Sequence, residues 1–289
     1  MEKHSEAKHH AGLPPVLHDR EFGRFSSFIY EEIGIKLPPA KRTMLEARLH
    51  KRLKKLELSS FSDYADYVFS PQGRAEELVH LLDVVTTNKT DFFREPAHFS
   101  FLVKSVIPEL ASRRGCGLRS AFRIWSAGCS SGEEPYTMAM VLSEYAEQNH
   151  GFRFSILATD ISTAVLDKAR TAIYSEENAD TIPLNLKKKY LLKSRDRSKG
   201  LVRVIPALRS MVNFRRLNFM QDFGMSDQLD VIFCRNVIIY FDKPTQERLL
   251  NKFCNQLVTG GYLFLGHSES INGLNVPLKA VSSTTYQKI

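Results

Sequence analysis

The sequence predicts an α/β protein, a largely parallel sheet carrying helices, preceded by an all-α N-terminal domain. Three observations predict it. From about Val16 to Val85 the apolar residues recur at helical spacing, interrupted at Pro38-Pro39 and Ser70-Pro71. After Ala121, short β-prone runs alternate with helical patterns, the order that builds βαβ units. Leu229 to Cys234 is an unbroken apolar run, which suits a strand covered on both faces. A chain of 289 residues can bury a proper core as one large domain or two modest ones. No apolar run is long enough to span a bilayer, so no membrane insertion is expected. Residues 1–15 lack the apolar middle of a signal peptide and read as a disordered tail. Cys116, Cys129, Cys234 and Cys254 show no CxxC spacing, and reduced thiols in a cytoplasmic protein are the simpler reading.

Taken in order, the clearest helix of the 16–85 domain is Lys41 to Leu58. At 100° per residue, Leu45, Leu49, Leu53 and Leu56 make one stripe, and Lys41, Arg48, Lys51, Arg52 and Lys55 lie beside it. Two readings of that basic face stand: a solvated flank, or a docking surface for an acidic helical partner. Thr86 to Phe99 (TTNKTDFFREPAHF) is odd for a linker, because it is polar yet carries three phenylalanines. Over about 86–100 it reads either as a hinge or as a lid bringing Asn88, Thr90, Asp91 and Arg94 to a cleft. A short helix then leads into the main domain, 101–289.

Ala121 to Tyr136 (AFRIWSAGCSSGEEPY) is a strand, a glycine turn and a helix start. Gly128 and Gly132 let backbone approach a ligand closely. Glu133 and Glu134 stand where a pyrophosphate would need positive charge, so the turn suits a cationic, hydroxyl-rich ligand and not a phosphate. The next strand, Phe152 to Ser162, ends on Asp160, the position that holds a ribose diol in nucleotide-binding sheets. Asn185 to Leu217 then carries eleven Lys or Arg against one acid, more than the whole net charge of +8. Its alternating pattern reads as a small antiparallel β-subdomain inserted at about 185–217, added for contact with something acidic. The run from Leu229 stops at Arg235-Asn236 and continues to Tyr240, which puts these residues at the strand ends that line a ligand crevice. Asp242-Lys243-Pro244 starts a helix, Thr259-Gly260-Gly261 is expected to end it, and Tyr262–Ser270 with Val281–Ile289 completes the sheet as a hairpin. His267, at a strand end, is open to a structural or a basic role.

Several chemistries drop out. No His/Cys/Asp group has metal-ligand spacing, and no metal is expected. There is no GxSxG, Cys129 has no identifiable histidine, and the glycine turn departs from GxGxxG. A positioning enzyme that uses a reactive cationic cofactor fits what remains, and S-adenosylmethionine is the common candidate. At this point the stretches TTNKTDFFREPAHF, WSAGCSSGEEPY, ATDIS, FCRNVIIYFDKPTQERLL and GYLFLGHSES, in this order, resemble those of the bacterial chemotaxis receptor methyltransferases, the CheR family.

The resemblance covers the chain from about Val16 onward. It implies a helical N-terminal domain and a class I S-adenosylmethionine-dependent methyltransferase (Rossmann-like) domain bearing the β-subdomain. It implies methyl transfer to glutamate γ-carboxylates on the cytoplasmic helices of chemoreceptors, with S-adenosylhomocysteine as product. Asn88, Thr90 and Arg94 would then contact the cofactor from the linker, beside Gly128. Glu134, in preference to Glu133, would hold its ammonium and Asp160 its ribose. Asn218 and Phe219 would lie at the adenine, Arg235 and Asn236 would close the site, and Arg94 and Tyr240 would border the methyl. The basic face of Lys41, Arg48, Lys51, Arg52 and Lys55 would meet the receptor. The turn KSRDRSKG is shorter than in relatives that grip a receptor tail peptide, so direct docking of a monomer is the expectation. A methyltransferase acting on RNA or a small molecule, and a silent cofactor-binding module, are the rival readings; no nucleic-acid partner is expected.

Overall fold

The computed structural model describes residues 15–289, and all but the last residue of the tail expected at 1–15 lies outside them. The chain divides into two compact units, one of residues up to Phe28 with Leu37–Val85, the other of Ile29–Lys36 with Thr86–Ile289.

The first unit is helical: α1 (Asp19–Ile33, its last turn belonging to the second unit), α2 (Arg42–Leu56), α3 (Phe61–Phe69), α4 (Pro71–Glu76) and α5 (Leu78–Val85). In α2 the leucine stripe goes inward, with Leu45, Leu49 and Leu53 buried. Glu57 at φ +56° ends it, its N–H donating to the Leu53 carbonyl. Ser60 and Ser70 cap α3 and α4 by accepting from the Asp63 and Gly73 N–H groups.

The helical domain is expected to hold all of 16–85, yet residues 29–36 group with the second unit. Their polar groups are satisfied there: the Lys36 N–H donates to the Tyr240 carbonyl (3.1 Å) and the Tyr30 hydroxyl to Asp242 (2.9 Å).

In the second unit, α6 (Pro96–Phe101) continues through a π-turn at Leu102–Val106 into α7 (Ile107–Arg114). There follow β1 (Phe122–Ala127), α8 (Glu133–Gln148), β2 (Phe154–Asp160), α9 (Thr163–Thr171), β3 (Ile173–Ser175), α10 (Leu184–Tyr190), β4 (Leu191–Lys193), β5 (Leu201–Val204), α11 (Pro206–Arg209) and β6 (Val212–Arg216). The chain ends with β7 (Leu229–Cys234), α12 (Lys243–Gln256), β8 (Leu257–Leu265), β9 (Leu278–Ser282) and β10 (Thr285–Lys288). The main sheet has the order β6-β2-β1-β7-β8-β10-β9, its first five strands parallel and β10 antiparallel to both neighbours. This is the doubly wound, Rossmann-like arrangement, and its order reverses beside β1, where the crevice forms. Along β7, Val231 and Phe233 enter one apolar cluster and Ile232 and Cys234 the other, so both faces are covered.

Three boundaries differ from the sequence reading. The inserted antiparallel sheet is β3-β5-β4, spanning residues 173–204 and not 185–217. Val212–Arg216 alternates like the insert but pairs parallel with β2 as the edge of the main sheet, and alternation alone cannot distinguish the two partners. Thr259-Gly260-Gly261 lies inside β8 and does not end α12; a Cβ at Gly261 would stand 2.9 Å from the Val258 carbonyl and 3.0 Å from that of Asp230, a close backbone approach that calls for glycine. The terminal hairpin is β9–β10, and β10 is the strand that pairs with β8.

Candidate active site

The turn between β1 and α8 is shaped by two glycines at positive φ, Gly128 at +82° and Gly132 at +98°. A Cβ on Gly128 would lie 2.6 Å from Val237 Cγ2, a side chain of the turn after β7, so both the positive φ and this close contact call for glycine. The Gly128 and Cys129 N–H groups donate to the Thr159 carbonyl at 2.8 and 2.9 Å, which ties the turn to the end of β2. Ser130, left-handed at φ +49°, donates its N–H to Asp160 Oδ2 (2.8 Å) and its hydroxyl to the Asn88 carbonyl (2.8 Å). The Ser162 N–H takes Asp160 Oδ1 at 3.0 Å, so this carboxylate is aimed by backbone donors from two loops.

The two acids of the turn part company. Glu133 is buried, accepts from the Ser131 hydroxyl at 2.7 Å and does not line the cavity described below. Glu134 does, with Oε1 accepting from the Ser126 hydroxyl (2.6 Å) and Oε2 lying 3.4 Å from Arg235 Nη1. Burial raises the Glu134 pKa above the usual carboxylate range, against the pull of Arg235 and of the Ser126 hydrogen bond. Burial raises the Cys129 thiol well above its ordinary value, which makes it inert as a nucleophile.

The linker is held in a strained conformation around Arg94. Phe93 and Glu95, on either side of it, are both left-handed at φ +53° and +55°. Phe92 is fully buried, the Phe93 N–H donates to Thr137 Oγ1 (3.1 Å), and Glu95 faces Arg235 Nε at 3.2 Å. The Arg94 guanidinium spends one N–H on the Lys89 carbonyl (3.2 Å), and its other donors have no partner among the described residues.

At the end of β7, Arg235 also donates through Nη2 to the Arg94 carbonyl, and its guanidinium lies over the Phe99 and Phe233 rings. Asn236 is left-handed at φ +58°, and the turn after it is fastened by a residue the sequence reading passed over. Glu269 is buried and its carboxylate accepts from the N–H groups of Asn236 (2.8 Å), Val237 (2.8 Å), Ile239 (3.3 Å) and Gly266 (2.6 Å). Desolvation raises its pKa, opposed by those same donors. The lone signal for it in sequence is an acid in the short polar segment after β8, GHSES, which spacing rules do not single out. The Tyr240 hydroxyl, at the end of this turn, has no hydrogen-bond partner among the described residues.

Asn88, Thr90, Arg94, Gly128, Glu134, Asp160, Asn218, Phe219, Arg235, Asn236 and Tyr240 all line one cavity of about 370 Å³, within the range of small-molecule sites. Ile33, Ile35, Leu217, Val237 and Phe241 add an apolar wall to it. Asn218 is partly engaged, donating to the Glu32 carbonyl (2.7 Å) and accepting from the Met220 N–H (3.0 Å). One amide proton and one lone pair are left on it. Phe219 packs edge-on against Trp125, Phe223 and Phe253. The residues fit a donor such as S-adenosylmethionine on the chemistry of the wall alone: a carboxylate for an amine, a second carboxylate at a strand end for a diol, and an apolar end for a base. His267 stays outside this wall, half exposed, its N–H on Glu95 Oε1 at 3.2 Å.

The basic face of α2 does not hold together as read. Lys41, Lys51 and Lys55 are exposed. Arg52 is buried and paired twice with Glu77 at 2.6 Å, and Arg48 is half-buried with its guanidinium on the Val85 carbonyl. Both arginines flank the leucine stripe, and a flank that leans inward needs its charge satisfied inside its own unit.

Residues 88–287 match the family domain described as "CheR methyltransferase, SAM binding domain", and residues 20–86 the one described as "CheR methyltransferase, all-alpha domain". A chemotaxis protein methyltransferase of Borreliella burgdorferi is 44% identical over 93% of this chain and 94% of its own length. Chemotaxis protein methyltransferase 2 of Pseudomonas aeruginosa is 38% identical over 92% of each chain, and the Escherichia coli chemotaxis protein methyltransferase is 38% identical over 94% of this chain and 91% of its own. Among the described residues no helix is long and apolar enough to cross a membrane.

Proposed function

The chain belongs to the CheR methyltransferase family, with its S-adenosylmethionine-binding domain, and from that premise we propose that it methylates glutamate γ-carboxylates on chemoreceptor cytoplasmic domains, as a cytoplasmic monomer with no nucleic-acid partner. One observation carries the reading. A single cavity sets Glu134 and Asp160 beside Arg94 and Tyr240, and among the described residues no histidine or cysteine stands in its wall. That wall suits an acceptor which needs no base: a glutamate side chain is already ionised near neutral pH.

When bound, S-adenosylmethionine supplies a methyl on a sulfonium, whose transfer to a carboxylate oxygen forms a C–O bond, breaks C–S and leaves a neutral thioether. The chain's own residues have to bind, orient and keep water out. Glu134 receives the ammonium of the donor, and Asp160, preset by the Ser130 and Ser162 N–H groups, receives the ribose hydroxyls. Phe219 and its aromatic neighbours wall the adenine, with the remaining polar capacity of Asn218 at its edge. Arg235 holds Glu134 in place and, through the Arg94 carbonyl, the strained loop of the linker. Arg94 turns its free N–H groups on the acceptor carboxylate, and the Tyr240 hydroxyl donates to the same group. Asn88, Thr90, Gly128 and Asn236 close the donor's binding surface.

The exposed lysines Lys51 and Lys55 of α2, with Lys41 just before it, are the cations left to meet an acidic receptor helix. The test is incubation with methyl-tritiated donor and receptor cytoplasmic fragments, followed by alkaline release of volatile methanol. Base-labile label on glutamates, lost in Arg94→Ala with the circular dichroism unchanged, is the expected result. Label on RNA, or none on any fragment, refutes the reading.

A further inference from the structure

Arg235 joins the cavity to a second group of side chains that the proposed reaction leaves unused. While Nη1 faces Glu134, its Nε faces Glu95, and around Glu95 stand two histidines. Glu95 Oε2 lies 3.4 Å from His98 Nδ1 and 3.9 Å from His267 Nε2, and the three atoms are all within 4.8 Å of one another. A tetrahedral zinc with bonds of about 2.0–2.1 Å separates its ligand atoms by roughly 3.3 Å. The His98 separation already meets that spacing, whereas His267, on an exposed side chain, stands about 0.6 Å too far from Glu95 and up to about 1.5 Å too far from His98, a gap its side chain has to close.

His98 supplies an independent sign. The residue is 3% exposed, and its Nδ1 has no hydrogen-bond partner among the described residues although it lies 3.4 Å from Glu95. Its other nitrogen is fixed at 2.9 Å from Thr284 Oγ1, the arrangement by which an outer partner orients a ligating imidazole. An unpartnered buried nitrogen is costly unless something takes its lone pair. Glu95 and His98 are three residues apart at the start of α6, with Glu95 set by its left-handed φ and Pro96 at the first turn. His267 comes from the far end of β8, which is why sequence spacing gave no metal site. Arg235 opposes a cation here, but it keeps Glu134 and the Arg94 carbonyl as acceptors when Glu95 Oε2 turns away.

We propose that Glu95, His98 and His267 form a site for one zinc ion, with the fourth position open to solvent beside His267. Two imidazoles and one carboxylate favour zinc over magnesium or calcium. Because Arg235 is common to both sites, zinc and the methyl donor are coupled, an addition that rests on the proposed function. Drawing Glu95 off Arg235 leaves more of its positive charge next to the ammonium position of Glu134, so each ligand weakens the other.

The experiment is calorimetric titration of the full, metal-stripped chain with zinc chloride, alone and with S-adenosylhomocysteine. The parent is expected to take up one zinc more than His267→Ala, or to bind it at least tenfold more tightly, and to show no heat with magnesium. The histidines at 4, 9 and 10 are the same in both chains and cancel. Identical zinc isotherms for the parent and His267→Ala overturn the site. If zinc binds and the S-adenosylhomocysteine affinity does not fall, the coupling is wrong. If S-adenosylhomocysteine does not bind at all, the proposed function fails, and the zinc titration still decides the site.

Discussion

Each unit of this protein buries an arginine against carboxylates, and the two clusters are built differently. In the helical unit, Arg52 meets Glu77 through two hydrogen bonds of 2.6 Å, and the Tyr64 hydroxyl completes the group at 2.8 Å. In the sheet unit, Arg235 is divided between Glu95 at 3.2 Å and Glu134 at 3.4 Å, and it borders a cavity. The first cluster is closed on its carboxylate: both Glu77 oxygens accept from Arg52 and one also from Tyr64, so Glu77 is spent on holding helices together. The second is shared, longer and loosely closed, so a cationic ligand can compete for Glu134 without dismantling the fold. Buried charge alone does not mark a functional site; buried charge with unspent bonding capacity facing a cavity does.

The comparison can be broken at several points. Arg52→Ala leaves Glu77 buried without its cation, and a loss of about 3–5 kcal/mol is expected in denaturant unfolding; an unchanged midpoint means the pair is not structural. Arg94→Ala should lower kcat/KM roughly 10²–10³-fold with the fold intact, the scale for removing a group that stabilises charge at a reacting centre. Glu134→Gln should weaken S-adenosylhomocysteine by about 1.5–3 kcal/mol, the range for a charged hydrogen bond, and calorimetry reads it directly.

Burial raises the Glu134 pKa, so its charge is lost on acidification at a higher pH than an ordinary carboxylate loses it. The affinity for S-adenosylhomocysteine should therefore fall as pH drops, setting in at a higher pH than an ordinary carboxylate would give, and the fall should be absent in Glu134→Gln. The smallest effect belongs to Lys51→Ala with Lys55→Ala. These exposed charges should cost receptor binding about 1 kcal/mol or less, vanishing at high salt, with no change in stability. A large loss of stability there would erase the contrast with Arg52.

The sheet was legible in sequence because its signals are local. Continuous apolar strands, glycines where the chain turns, and acids at strand ends are all readable within a few residues, and the crevice of a doubly wound sheet falls at those ends. That is how the Glu133-Glu134 pair, Asp160, Arg235 and Tyr240 could be drawn to one place from positions far apart in the chain, while the choice of Glu134 over Glu133 came through family resemblance. Arg94 stood out as one of the polar groups of an odd linker, but its place at the methyl, and the adenine-side pair Asn218 and Phe219, came through family resemblance, since no periodicity points at them.

The sequence by itself determined the order of elements and the inward faces, through the periods of 2 and 3.6 that backbone geometry imposes on apolar residues. Only the tertiary structure decided how each charge is used. Arg52 looked like one more cation on a solvated helix until Glu77, a separate helix away, took it inward. Glu269 looked incidental until four backbone N–H groups gathered on it. Glu95, His98 and His267 became neighbours only when β8 was laid beside β7. Apolar burial is non-directional and leaves a repeating trace in the chain, whereas a buried polar group needs a particular partner at a particular distance, and local spacing does not record where packing will put it.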